Sequence, residues 1–255
     1  MDVTRDSDLE EFHLPTLHEG PRHHWVKERL GKHWPRKRPF NDLQHEVAMI
    51  KKAVIFDAFG TLVQIHEGRH PYRQILKAGV RQGRRPKPDD AKQIMTRPLG
   101  LQEGADHFGI RLPACVMEAV QNDLTTELAS IQAYQDGVEA VALLKNAGFK
   151  VAVCSNLALP YADAVERLYP TLDAYVYSFE VGAVKPDAVI YAEACRQLDC
   201  APGEVYMIGD SQRCDRDGPN EFGIHGWFLG RDGLSGDFSD LTTFAEFVIE
   251  AEKVA

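Results

Sequence analysis

Polar residues with complementary chemistry occur in four places along the 255-residue chain, each at or just after the end of an apolar segment. They are Asp57 with Thr61, Ser155 with Asn156, Lys185, and Asp210 with Asp215. A carboxylate can act as a nucleophile and form a covalent aspartyl intermediate. Hydroxyl and amide groups can donate hydrogen bonds to phosphoryl oxygens, and a lysine supplies a compact positive charge where a transition state accumulates negative charge.

The second carboxylate indicates a metal site. Asp57 and Asp210 could together hold Mg²⁺, because this cation prefers hard oxygen ligands and keeps several waters. Without a cation, two carboxylates and a phosphate would repel one another. With it, the residues form a phosphoryl-transfer site in which positioning and electrostatics do most of the catalysis.

Each motif alone also has a purely structural interpretation. The segment 57–61 could be a strand followed by a tight turn, with Asp and Gly selected for turn geometry. Ser155 and Asn156 are residue types that commonly cap helices, and most lysines are surface charges. The occurrence of all four groups in one chain, each after a strand signal, favours the functional interpretation.

The elements that would position these groups alternate between strands and helices. We predict strands at 53–56, 150–154, 174–179, 205–208 and 226–229. We predict helices at 71–81, 89–95, 113–129, 138–147, 160–168, 186–198 and 241–254. This alternation predicts an α/β fold with a Rossmann-like parallel sheet flanked by helices. Because open sheets of this kind bind ligands at the carboxyl ends of their strands, residues far apart in sequence should converge there.

An all-helical insert interrupts the pattern after the first strand. We expect residues 66–133 to form a helical cap over the carboxyl edge of the sheet, and residues 50–65 with 134–255 to form the core. Residues 1–49 precede any strand signal. Within them, positions 21–40 hold seven Lys or Arg against one Glu. We expect this basic arm to be solvated or packed on the core, although it could also contact anionic lipid, RNA or a phosphorylated substrate.

The bulk properties exclude several classes of protein. A net charge of −9 argues against a general nucleic-acid binder. No stretch of 18 apolar residues is present, so we expect no membrane span. The first residues lack the pattern of a signal peptide, and the five cysteines include no Cys-x-x-Cys pair, which fits reduced thiols. We therefore expect a cytoplasmic protein that acts on a small molecule. The oligomeric state and the natural substrate stay open.

The four motifs resemble those of the haloacid dehalogenase-like (HAD) hydrolase superfamily over about residues 50–230. The similar segments are 57–63 (DAFGTLV), 153–156 (VCSN), 185–187 (KPD), and 208–211 (IGDS) with Asp215 and Gly218. The resemblance implies a Rossmann-like core with an inserted cap and a nucleophilic Asp57. It also implies contacts to the phosphate or leaving group from Thr61, Ser155, Asn156 and Lys185.

In the Mg²⁺-dependent members of that superfamily, the resemblance implies that Asp210 and the backbone carbonyl of Phe59 are metal ligands beside Asp57. Asp215 would orient the metal-bound waters or Lys185. Residue 59 itself departs from the phosphatase pattern. Phosphatases of this superfamily usually have a second Asp there, which protonates the leaving alkoxide as a general acid. Phe59 cannot donate a proton, but its backbone carbonyl could still bind the metal.

Three functions follow from this departure. The favoured one is a Mg²⁺-dependent phosphatase of a small phosphorylated metabolite, limited to good leaving groups or assisted by an acid of the insert. The candidates for such an acid are His66, Glu67 and His70. The second function resembles that of the metal-independent 2-haloacid dehalogenases, whose first motif also lacks the second Asp.

For the dehalogenase, Tyr72 with Arg73 is the one faint candidate in the insert for holding a haloacid carboxylate. The Gly-Asp-Ser segment at 209–211 favours the phosphatase, because dehalogenases have a Ser-Asn type of segment there. The third function is a non-catalytic pseudo-enzyme that binds a phosphorylated ligand or a partner. The retained Asp57, Lys185 and Asp210 argue against it.

Overall fold

A five-stranded parallel sheet organises residues 53–233 and 235–253, the part of the chain that the computed structural model describes. The strands are β1 (Ala53–Phe56), β2 (Val63–Ile65), β3 (Ile131–Ala133), β4 (Lys150–Ser155), β5 (Ala174–Tyr177), β6 (Val205–Gly209) and β7 (His225–Phe228). The order across the sheet is β5-β4-β1-β6-β7, and all of its neighbours pair in parallel. The predicted α/β fold is confirmed. The basic arm predicted for residues 1–49 lies outside the described residues.

Helices cover both faces of this sheet and fill the insert. They are α1 (Pro71–Arg81), α2 (Asp90–Met95), α3 (Leu101–His107), α4 (Ala114–Ala129), α5 (Gln135–Asn146), α6 (Ala162–Leu168), α7 (Ser178–Val181), α8 (Ala188–Leu198), α9 (Gly218–Phe222) and α10 (Leu241–Lys253). Short 3₁₀ turns occupy Leu159–Tyr161 and Pro202–Glu204, and a wider helical turn occupies Gln212–Asp217. Within the described residues, no helix combines the length and the apolar character that crossing a membrane requires.

β1 is the central strand, and its four side chains are fully buried. Successive side chains of a strand point to opposite faces. Val54 and Phe56 therefore pack into a cluster with α5, α6 and α10, whereas Ala53 and Ile55 pack into a cluster with α8. Burial on both faces explains why the strand reads as a continuous apolar run in the sequence.

The insert between β2 and β3 has its own small core. Tyr72, Ile75, Leu101 and Leu124 belong to one buried cluster, which draws its described members from α1–α4 and nearby segments. Val63 and Ile65 of β2 pair antiparallel with Ala133 and Ile131 of β3. The two chain crossings between the insert and the main sheet therefore lie side by side. The sequence patterns missed this two-stranded ribbon, because both strands are only three residues long. They also missed α3.

Several element boundaries differ from the predictions for physical reasons. The strand predicted at 174–179 ends at Tyr177, because the Ser178 hydroxyl bonds to the backbone of Leu157 and the chain turns into α7. The helix predicted from 186 begins at Ala188, because Asp187 is its N-cap and accepts a hydrogen bond from the Val189 amide. α5 begins at Gln135 instead of 138. Gly137 lies inside it, where a Cβ would clash with the Tyr169 hydroxyl.

We expect Phe244→Ala to lower the free energy of unfolding by about 3–5 kcal/mol, because it leaves a cavity between α10 and the sheet. Phe244 is fully buried and meets Phe56 edge to face at 6.2 Å between ring centroids. Chemical denaturation measures the loss. The matched control is Phe247→Ala on the same helix, where the residue is 39% exposed and we expect less than half the loss. Equal losses would contradict the packing described for this face.

Candidate active site

The carboxyl ends of three adjacent strands bring the candidate residues together. Asp57 directly follows β1, Ser155 is the last residue of β4, and Asp210 follows β6. The Asp57 amide donates to the Ile208 carbonyl at 3.0 Å, which extends the pairing of β1 with β6 to the first candidate residue. Asp57 and Ser155 are buried. The predicted convergence of these residues at one edge is therefore observed.

Lys185 lies between two of the carboxylates. Its Nζ is 2.7 Å from Asp57 Oδ1 and 2.6 Å from Asp215 Oδ1. All three side chains are almost completely buried. Burial opposes ionisation of the lysine, but the charges of Asp215 and Asp57 raise the pKa of Lys185 well above its usual value. The ammonium is therefore charged, and it is the central cation of the site.

Asn156 holds the backbone of Lys185. Its Oδ1 accepts a hydrogen bond from the Lys185 amide at 2.7 Å, and its Nδ2 donates to the Lys185 carbonyl at 3.1 Å. This two-way contact fixes a residue 29 positions further along the chain. The predicted contact of Asn156 with a phosphate stays a prediction, and so does that of Ser155.

The turn after β1 is fitted closely to the end of β6. Thr61 is buried, and its Oγ1 accepts a hydrogen bond from the Asp210 amide at 3.1 Å. Gly60 has a φ of 79°, and a Cβ there would collide with the Asp210 carboxylate. A Cβ at Gly209 would likewise collide with Asp215 and Asp57. Glycine is required at both positions because carboxylates occupy the space that side chains would need.

Three carboxylates make the site strongly anionic. Oxygen atoms of Asp57, Asp210 and Asp215 all lie within 4.8 Å of one another, and Lys185 pairs with Asp57 and Asp215. Burial of the Asp210 carboxylate, with the charges of Asp57 and Asp215, raises its pKa to about 7, although the residue is open to solvent on one side. Burial and the charge of Asp57 raise the pKa of Asp215 to about 6, against the opposing effect of Lys185.

This donor set fits a hard divalent cation. Three carboxylates against one ammonium leave an excess of two negative charges, and carboxylate oxygens are the ligands that Mg²⁺ prefers. Both oxygens of Asp215 already accept hydrogen bonds, Oδ1 from Lys185 and Oδ2 from the Ser211 amide at 2.9 Å, whereas Asp57 accepts from Lys185 through Oδ1. Asp57 and Asp210 are therefore the better suited metal ligands of the three.

Phe59 occupies an aromatic setting. Its half-buried ring meets Tyr161 edge to face, with 5.8 Å between centroids. The Tyr161 hydroxyl donates to Glu127 Oε1 at 2.5 Å. Burial and this hydrogen bond raise the pKa of Tyr161 far above its usual range, so its proton stays bound. Sequence patterns gave no sign of Tyr161 or Glu127, because their contact joins α4 of the insert to a turn of the core.

The other candidates of the insert lie on its surface or serve its own structure. His66, Glu67 and His70 are exposed, and Glu67 accepts a hydrogen bond from the Arg69 guanidinium at 2.9 Å. The backbone amides of Arg69 and His70 donate to the buried Glu127 carboxylate. The Tyr72 hydroxyl donates to the Leu99 carbonyl at 2.5 Å, within the insert.

A residue that the sequence did not single out contacts the turn after β1. Arg231, which follows β7, donates to the carbonyls of Gly60 and Thr61 and to the Asp136 carboxylate. The guanidinium carbon lies 3.8 Å from the centroid of the Tyr134 ring. Nothing in the sequence near Arg231 connects it with Thr61, 170 positions earlier.

Comparisons with known proteins agree with this fold and site. The family model of the haloacid dehalogenase-like hydrolases matches residues 51–223. A glyceraldehyde 3-phosphate phosphatase of Methanopyrus kandleri is 29% identical over 195 residues, covering 68% of this chain and 81% of that protein. The (S)-2-haloacid dehalogenase 4A of Burkholderia cepacia is 27% identical over 198 residues, covering 71% and 84%. The crystal structure of a HAD phosphatase from Thermococcus onnurineus has a TM-score of 0.55 at 20% identity, covering 77% and 97%.

The chain therefore belongs to the haloacid dehalogenase-like hydrolases. The family match spans the stretch from β1 to α9, which carries all four motifs. Its relatives include a phosphatase and a dehalogenase at similar identity, so the comparisons leave the choice between these two reactions open.

We expect Lys185→Met to lower the free energy of unfolding by about 3–5 kcal/mol, because it leaves buried carboxylates without their cation. Lys145→Met is the matched control. Lys145 pairs with Asp173 at 2.9 Å on the surface, where such a pair contributes at most about 1 kcal/mol. Denaturant titration in a chelating buffer compares the two variants. Similar small losses would show that solvent compensates the carboxylates of the site.

Proposed function

We propose that this hydrolase is a Mg²⁺-dependent phosphatase of a small phosphorylated metabolite, with Asp57 as the nucleophile. The observation that carries the proposal is the meeting of Asp57, Asp210 and Asp215 around the buried Lys185. A nucleophile alone would need only one carboxylate. A second one placed beside it brings a like charge within 4.8 Å of the nucleophile, which a bound cation would compensate.

In the proposed reaction, a carboxylate oxygen of Asp57 attacks phosphorus, and the bond from phosphorus to the leaving oxygen breaks. The product is an aspartyl phosphate. Water then attacks the same phosphorus atom, which releases inorganic phosphate and restores the Asp57 carboxylate. Lys185 orients Asp57 through its 2.7 Å contact, and its charge stabilises the phosphoryl oxygens. Thr61 and Ser155 hydroxyls would donate to those oxygens, while Asn156 holds Lys185 in place.

Mg²⁺, when bound, would neutralise negative charge on the transferred phosphoryl group. We propose Asp57, Asp210 and the backbone carbonyl of Phe59 as its ligands, with Asp215 in a supporting role. Both oxygens of Asp215 already accept hydrogen bonds, from Lys185 and from the Ser211 amide, which supports this assignment.

Phe59 defines which leaving groups can depart. It packs against Tyr161, whose proton is held by Glu127, so neither ring offers an acid to the leaving oxygen. We therefore propose a preference for acyl or aryl phosphates, whose leaving groups need no proton.

A 2-haloacid dehalogenase is the second candidate, and Phe59 is the observation in its favour. In that reaction Asp57 would attack carbon, halide would leave without a proton, and water would hydrolyse the resulting ester. The charge of the site argues against it. A haloacid is an anion, and a metal-free site with three carboxylates and one ammonium would repel it.

We also propose that residues 66–133 act as a cap that selects the substrate, over a core formed by 50–65 and 134–255. The β2–β3 ribbon brings both crossings to one place, as a hinge would require. Glu127 joins the first turn of the insert to Tyr161 of the core, next to Phe59. The cap would thereby reach the leaving-group side of the site.

The first test is hydrolysis of p-nitrophenyl phosphate and acetyl phosphate by the purified full chain with Mg²⁺. We expect turnover that EDTA abolishes and added Mg²⁺ restores. Asp57→Asn should remove it, whereas the control Asp106→Asn, on the exposed surface of α3, should not. Chloride release from 2-chloropropionate without metal, in the absence of phosphatase activity, would establish the dehalogenase instead. Absence of both activities would favour the pseudo-enzyme.

The second test is Phe59→Asp, which supplies the acid that the first motif lacks. General-acid catalysis contributes roughly 10²–10⁴-fold, so kcat should rise far more on an alkyl phosphate than on p-nitrophenyl phosphate. Phe59→Asn is the matched control, because it removes the same ring and adds a group of similar size without an acidic proton. An equal rise in both variants would assign the effect to the lost ring and not to proton donation.

A further inference from the structure

Arg231 has no role in the proposed reaction, yet it contacts the turn that follows Asp57. We infer that Arg231 is a positioning residue that holds the turn after Asp57 in its reactive shape. The inference depends on the proposed use of that turn in catalysis. Arg231 Nε donates to the Gly60 carbonyl at 3.1 Å, and its Nη2 donates to the Thr61 carbonyl at 2.6 Å. A guanidinium is suited to this task because its donors have a fixed planar arrangement.

The turn is held from two sides. On one side, Thr61 Oγ1 accepts the hydrogen bond of the Asp210 amide. On the other, Arg231 binds the carbonyls of residues 60 and 61, and the Leu62 carbonyl accepts from the Tyr134 amide and the Tyr169 hydroxyl, both at 2.9 Å. Three successive carbonyls are therefore fixed by groups that come from later parts of the chain. Rotation of these peptides would displace Thr61 and the carbonyl of Phe59 together.

Arg231 is itself held in place. Its Nη1 donates to Asp136 Oδ2 at 2.9 Å, and the same oxygen accepts the Leu241 amide at the start of α10, also at 2.9 Å. The guanidinium lies over the Tyr134 ring. The pair of Arg231 and Asp136 is only partly buried, with 23% and 20% of the side chains exposed. Partly exposed ion pairs contribute little to the free energy of unfolding. The role of this pair is therefore to orient the Arg231 guanidinium.

The insert contains a pair of the same construction that contacts no part of the turn. Arg84 binds Asp90 through two hydrogen bonds of 2.7 and 2.5 Å, and its guanidinium carbon lies 4.6 Å from the centroid of the Phe108 ring. Their side chains are 17% and 7% exposed. Arg84→Met therefore removes an equivalent set of interactions elsewhere. It separates a general loss of stability from a specific effect on the turn.

The experiment compares the full-length wild type with Arg231→Met, Arg231→Lys and Arg84→Met. Turnover of p-nitrophenyl phosphate with saturating Mg²⁺ gives kcat and KM. Hydrogen exchange of the peptide that contains the Asp210 amide is measured in the absence of substrate. We expect Arg231→Met to lower kcat by about 10- to 100-fold, because small misplacements of reacting groups have effects of this size. KM should change less than about 3-fold, since the contacts proposed for Ser155 and Lys185 with the phosphoryl group do not depend on this turn.

Exchange at Asp210 should be faster in Arg231→Met, because Thr61 no longer holds that amide. Arg231→Lys keeps the charge without the planar fork, so its kcat should lie between those of Arg231→Met and the wild type. Arg84→Met should lower the melting temperature while leaving kcat and the Asp210 exchange unchanged. An unchanged exchange rate at Asp210 in Arg231→Met, or an equal loss of kcat in Arg84→Met, would overturn the inference. If the wild type lacks phosphatase activity, the proposed function fails, and the exchange comparison still decides the role of Arg231.

Discussion

The ammonium of Lys185 between the carboxylates of Asp57 and Asp215 is the interaction on which the rest of the site depends. These groups are buried at the carboxyl edge of the sheet, where a carboxylate without a cation would cost several kcal/mol. The surrounding structure serves this arrangement. Asn156 fixes the backbone of Lys185, and Gly209 leaves room for both carboxylates at the end of β6. One ammonium cannot balance the charges of Asp57 and Asp215 together, and Asp210 adds a third carboxylate. The site is therefore suited to a further cation.

The parallel sheet explains why the candidate site residues could be predicted from the sequence. Parallel strands end at one edge, so polar residues after β1, β4 and β6 must meet, whatever their separation along the chain. The apolar runs of these strands are continuous because both faces of the sheet are covered. Fold and convergence were therefore predictable from local patterns. The roles of the individual residues in the reaction stay predictions.

Other features depended on contacts that no local pattern reveals. Gly137 looks like a turn residue, yet it lies inside α5, and a glycine is needed there because the Tyr169 hydroxyl occupies the space of a side chain. Asn156 looks like a helix cap or a phosphate ligand, yet both ends of its amide bind the backbone of Lys185. Arg231 and Glu127 join parts of the chain that are far apart in sequence. Each of these contacts is made only when the core or the insert has folded.

Residue 59 is where this chain departs from the phosphatase pattern of the family. Its backbone belongs to the turn that Thr61 and Arg231 hold, and its side chain belongs to an aromatic contact with Tyr161. A metal ligand and an acid normally share this position in the phosphatase pattern, and here only the former function is retained in the proposal. In the proposal, the charge of the site decides between attack on phosphorus and attack on carbon. The Asp210 carboxylate is the group that favours phosphorus there.

The central claim is that Asp57 forms a covalent bond to phosphorus. The most direct measurement is mass spectrometry of the peptide containing Asp57, after rapid acid quenching of the Mg²⁺-loaded protein during turnover of acetyl phosphate. The account predicts a fraction of this peptide that is heavier by one phosphoryl group, and reduction of the acyl phosphate with borohydride should convert residue 57 to homoserine. Steady turnover with no modification at Asp57, or with the phosphoryl group on another residue, would contradict the account.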